Sequence, residues 1–131
     1  MYLVSVYFDE KTNKTIQSLV NKVSGKTGNN FMIEGKVPPH ITVSAFETKQ
    51  EEKVLERLRA VAKDLSQNNL RWVSVGTFLP NVIYLAPVLN EYLQNMTRNV
   101  YGKIESVEET IMSPFYRPFQ WMPHTTIGKM L

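Results

Sequence analysis

The stretch WMPHTTIGKM, residues 121–130, holds one of the two histidines of this chain, and VPPHITVSAF, residues 37–46, holds the other. Both sit in the same short frame, Pro-His-x-Thr: Pro39, His40, Ile41, Thr42 and Pro123, His124, Thr125, Thr126. In a strand, residues two apart point to one face. His40 and Thr42 would therefore share a face, as would His124 and Thr126. Ile41, Val43 and Ile127 would turn to the core. Thr125 is less apolar than that role prefers. Proline before each histidine suits the first position of a strand. The frame thus predicts two strands, 40–47 and 123–130, each opening with a histidine.

Upstream of each predicted strand the chain follows one plan. YLVSVYF (2–8) is β-branched or aromatic nearly throughout and reads as a buried strand. Ile16, Leu19, Val20 and Val23 then form a helical stripe, with Gly25 as its expected stop. Residues 26–39, rich in Gly, Asn and Pro, read as loop. Residues 49–67 give a second helix, with Val54, Leu55, Leu58, Val61, Ala62 and Leu65 on its apolar face and a solvated charged face opposite. Strands are predicted at 70–78 and 82–88, joined by a Leu-Pro-Asn turn as a hairpin. A helix follows at 90–104, and 105–120 has no clear period. Strand, helix, long connection and Pro-His-x-Thr strand therefore occur twice. The offsets are 91 − 10 = 81 for the glutamates after the leading strands and 124 − 40 = 84 for the histidines. This predicts one domain, 1–131, with duplicated halves at about 1–78 and 79–131.

Bulk properties set the class. A chain of 131 residues, 43% apolar and 21% charged, has the composition of a globular domain able to bury a core. The net charge of +3 is compatible with an anionic ligand without demanding one. With no cysteine, thiolate catalysis, disulfides and cysteine-ligated zinc are excluded. No stretch has the basic start and apolar run of a secretory signal or the length of a membrane span. A cytoplasmic monomer is expected.

The repeated frame carries chemistry. An imidazole can take or give a proton at neutral pH. A hydroxyl on the same face can hydrogen-bond an anion beside it. Two such pairs supply a base, an acid and two donors, the equipment for in-line attack at a phosphodiester. Two histidines without clustered carboxylates or cysteines make a poor metal site, so neither metal nor cofactor is expected.

On HITV (40–43) and HTTI (124–127) the chain resembles the two-histidine (2H) phosphoesterase superfamily, as a compact member. That group includes RNA 2′,3′-cyclic phosphodiesterases and 2′-5′ RNA ligase-like proteins. The resemblance covers the whole chain in layout, and in residue identity it rests on the two frames. It implies a bilobal α+β fold of duplicated β-α-β units, with mainly antiparallel sheets around a central cleft that carries the two H-x-T-x motifs. It also implies that His40 and His124 are the catalytic pair and that Thr42 and Thr126 bind phosphate. A basic residue soon after the second motif is common in such proteins, and Lys129 stands there. Thr125 departs from a position that is usually apolar, and larger relatives carry a further helix and strand. The implied activity is metal-independent cleavage of a cyclic or 2′-5′-linked nucleotide or RNA phosphodiester. The modest charge argues for a small or terminal substrate over a long RNA footprint. The alternatives are a module that binds RNA or nucleotide without turnover, and an interaction protein whose histidines are structural.

Other features weigh less. Phe115, Tyr116, Phe119 and Trp121 surround Arg117 in the loop before His124; they either close the core or stack a base, with Tyr116 and Arg117 the first candidates for substrate contact. In the loop before His40, Phe31, Met32 and Lys36 read as packing. Tyr84 is expected in the core or at a site wall. SGKTG (24–28) lacks the first glycine of a phosphate-binding loop, since Val20 occupies its place, and it follows a helix where a strand is required. Asn95-Met96-Thr97 fits a glycosylation acceptor but falls within a helix.

Overall fold

The computed structural model describes residues 1–130. The strands are β1 (Tyr2–Tyr7), β2 (His40–Thr48), β3 (Trp72–Phe78), β4 (Val82–Pro87), β5 (Thr110–Met112) and β6 (Thr125–Lys129). The helices are α1 (Glu10–Thr27), α2 (Phe31–Glu34), α3 (Glu51–Asp64) and α4 (Glu91–Glu105), with one 3₁₀ turn at Pro114–Tyr116. The fold is α+β. One three-stranded sheet has the order β1-β2-β5 and the other β3-β4-β6. β5 runs antiparallel to β2, with Phe46 opposite Met112 and Thr48 opposite Thr110. β3, β4 and β6 are antiparallel neighbours.

The two strand-to-helix steps are built alike. Asp9 caps α1 by accepting the Thr12 N–H at 2.9 Å, and Asn90 caps α4 by accepting the Leu93 N–H at the same distance. Each cap satisfies one of the donors that a helix N-terminus leaves open. Each is followed by a glutamate in the first turn, Glu10 and Glu91, where the helix dipole favours negative charge. The recurrence fits duplicated β-α-β units.

The chain forms two compact units. Among the described residues, one comprises Met1–Ser5, Thr42–Leu70 and Leu89–Pro123; the other comprises Val6–Ile41, Arg71–Val88 and residues 124–130. Neither coincides with a half of the sequence. In the first, α3 packs against α4 and α4 against β5. Its buried residues include Val43, Ala45 and Phe46 of β2, Val54 and Val61 of α3, and Leu93, Met96, Val100 and Ile104 of α4. In the second, α1 and α2 pack on β6. Its core joins Ile16 and Val20 of α1 to Leu85 of β4 and Ile127 of β6, with Phe8, Leu19, Val23, Met32, Trp72 and Ile83 around them.

Several boundaries depart from the sequence reading. α1 does not stop at Gly25; it runs to Thr27 and ends at Gly28, whose φ of 73° is left-handed. The Gly28 N–H closes onto the Ser24 carbonyl at 2.8 Å, so this glycine supplies the terminating conformation. The loop 26–39 contains the short α2. α3 ends at Asp64 and β3 begins at Trp72, both inside the predicted limits. The segment 105–120 holds β5 and the 3₁₀ turn. β6 begins at Thr125, so His124 stands immediately before the strand and not within it.

Candidate active site

The two histidine frames have the same burial along six residues. Pro39, Ile41, Val43 and Ser44 are buried, while His40 and Thr42 are half-buried. Pro123, Thr125, Ile127 and Gly128 are buried, while His124 and Thr126 are half-buried. Alternation does this on each strand: the apolar or small positions enter a core, and histidine and threonine stay accessible on one face. Thr125 follows the pattern at 1% exposure despite its hydroxyl.

His40 is oriented through its own chain. Its Nδ1 lies 2.8 Å from the Pro38 carbonyl oxygen. A carbonyl only accepts, so Nδ1 carries the proton and Nε2 is the nitrogen left for exchange with a ligand. The Tyr7 ring lies beside it, with centroids 6.0 Å apart. Two rings lie against His124. Phe78 and Tyr84 meet it edge-on, at 4.9 and 5.5 Å between centroids.

Both histidines, Thr126 and Lys129 belong to the second unit, and Thr42, Tyr116 and Arg117 to the first. The Thr42 carbonyl accepts the indole N–H of Trp121 at 3.0 Å. Trp121 is 5% exposed, so among the loop aromatics it is one that closes the core. Tyr116 ends the 3₁₀ turn, half-buried, and burial pushes its phenol pKa up. Its carbonyl accepts from the Thr97 hydroxyl at 3.5 Å. Arg117 is exposed, and Phe119, 81% exposed, instead has the guanidinium of Arg98 at 6.0 Å from its ring centre. The Lys129 ammonium lies 5.9 Å from the centre of the Phe31 ring. Among the described residues no group of three or more His, Cys, Asp or Glu gathers to hold a metal, and no helix is long and apolar enough to cross a membrane.

The β4–β6 register contains an irregularity the sequence does not announce. Tyr84 pairs with Thr126, but Ile83 pairs with Gly128, leaving Ile127 as an extra residue on β6. A bulge of this kind shifts the face parity of everything after it. Lys129 consequently pairs with Val82, two residues from Tyr84 on the same side of β4. Phe78 is the contact residue that sequence reasoning missed. The signal was present in the short hairpin turn, which sets Phe78 opposite Val82 and brings the ring next to Tyr84.

The sequence model of the 2′-5′ RNA ligase superfamily matches residues 11–131. The chain belongs to this family. It is the two-histidine phosphoesterase superfamily to which the HITV and HTTI frames point, and membership brings phosphoesterase- or ligase-type chemistry on RNA or nucleotides as the class of activity. No curated protein matches the chain.

Proposed function

We propose that the protein is a metal-independent phosphodiesterase that opens or cleaves a cyclic, above all 2′,3′-cyclic, or 2′-5′-linked phosphodiester of a nucleotide or RNA end. His40 and His124 are its acid–base pair, and Thr42 and Thr126 bind the phosphate. In opening a 2′,3′-cyclic phosphate, one imidazole takes a proton from water as its oxygen attacks phosphorus. The bond from phosphorus to one ribose oxygen breaks, and the other imidazole protonates that oxygen. The product is a phosphomonoester, and the two histidines end with their protonation states exchanged. Threonine hydroxyls beside them donate to the non-bridging oxygens, where charge accumulates. Tyr116, Arg117 and Lys129 are proposed as further substrate contacts, with Lys129 leaving the Phe31 ring to reach phosphate.

The observation that carries this reading is the identical burial of the two frames, which keeps a histidine and a threonine accessible in each while the residues between them enter a core. The His40 tautomer supports it, because a fixed Nδ1–H leaves Nε2 to do the proton transfer. The test is hydrolysis of 2′,3′-cyclic AMP in EDTA by the wild type, His40→Ala and His124→Ala. Turnover by the wild type and a loss of roughly 10²-fold or more in each folded variant is expected. Turnover that survives either substitution would refute the pair. Binding without turnover on cyclic and 2′-5′-linked substrates alike would favour the non-catalytic module.

A further inference from the structure

Gly76 lies in the middle of β3, where a glycine costs stability and asks for a reason. The reason is Tyr84. The two residues are cross-strand partners, and a Cβ built on Gly76 would fall within 2.5 Å of the phenol carbon Cζ, with the hydroxyl and one ring edge also in contact. The Tyr84 ring therefore lies across β3 at the one position that offers no side chain. There it stacks on Phe78, with centroids 4.4 Å apart and planes 29° from parallel. The pair then presents its rings to His124 at interplanar angles of 82° and 63°.

The register explains why these groups meet. Gly76, Tyr84 and Thr126 form one cross-strand row. Phe78 is two residues along β3 and His124 two residues before Thr126, so all five occupy the same face. Ile83 and Leu85, on the other face of β4, belong to the core with α1. The rings on the accessible face thus add little to that core. Phe78 remains 38% exposed, and among the described residues the Tyr84 hydroxyl has no hydrogen-bond partner.

We propose that Gly76, Phe78 and Tyr84 are positioning residues: Gly76 is the seat that lets Tyr84 lie flat, and the stacked rings hold the His124 imidazole in its reactive orientation. This rests on the reading of His124 as half of the acid–base pair. The ring is what matters, and the Tyr84 hydroxyl is dispensable.

The test joins imidazole NMR to kinetics. With only two histidines, the ring signals of His124 are assigned by their loss in His124→Ala. In Gly76→Ala and in Tyr84→Leu the His124 signals should move and those of His40 stay. With 2′,3′-cyclic AMP, kcat should fall at least about tenfold while KM stays within about twofold, because displacement of a reacting group acts on the chemical step. Tyr84→Phe should restore both the signals and kcat. Phe78→Leu provides the same test should Gly76→Ala fail to fold. Unmoved His124 signals in Tyr84→Leu would overturn the proposal, and so would moved signals with full kcat. A wild type without turnover would count against the phosphodiesterase reading alone; the NMR arm would still decide whether the rings hold His124.

Discussion

Among the described residues, the buried hydroxyls of Thr125 and Ser44 find no hydrogen-bond partner. A buried hydroxyl left unpaired keeps its desolvation cost, about 1–3 kcal/mol, which a shape-matched apolar residue removes. Thr125→Val should therefore stabilise the protein by about 1 kcal/mol and raise Tm by a few degrees in a thermal melt. An unchanged or lower Tm would mean that the hydroxyl is hydrated or bonded. Asp9 gives a prediction of a different kind. Its hydrogen bonds from Thr12 hold its carboxyl below the ordinary value of 3.8. A depressed carboxylate contributes stability that is present above the unfolded-state pKa and lost as the pH falls through the folded one. Wild type should thus lose stability relative to Asp9→Asn on acidification through the carboxylate range, since asparagine caps without titrating. Urea midpoints of the two proteins measured side by side against pH would show it as diverging curves; curves that stay parallel would contradict it. The sequence makes the histidine frames legible at this scale because strand alternation needs only spacing. It does not reveal the His40 bond to Pro38, which depends on how the chain turns into β2.

Helix α4 shows how much an element owes to its first residue. Asn90→Ala removes the cap on Leu93 and should cost about 1 kcal/mol, read as a lower urea midpoint with an unchanged slope. Strongly periodic elements were readable for the same physical reason that they are stable: α3 and α4 bury an apolar stripe, and the β3–β4 hairpin is long and closed by a short turn. The others were not. β5 has three residues, too few to alternate, and it exists because β2 offers it backbone partners far away in sequence. Gly25 looked like a stop, yet the left-handed residue is Gly28; composition cannot say which glycine takes the positive φ. The Ile127 bulge is a property of the register between two strands, so neither strand alone predicts it. Phe78 was missed for the same reason.

At the scale of the molecule, each compact unit draws on early, middle and late segments of the chain. His40 and His124, 84 residues apart in sequence, belong to one unit, and the frame of His40 continues into the other at Thr42. The duplicated plan was visible as repeated order and spacing, whereas the exchange of segments between units was not, because it depends on long-range strand pairing. In the proposed mechanism one imidazole must be neutral and the other protonated for the phosphodiester to react. The measurement that tests it most directly is kcat/KM for 2′,3′-cyclic AMP, in EDTA, across about pH 5 to 9, the range in which histidine changes charge. The wild type should show a bell-shaped profile. A profile flat in pH, or one bell that persists in His40→Ala or His124→Ala, would contradict it.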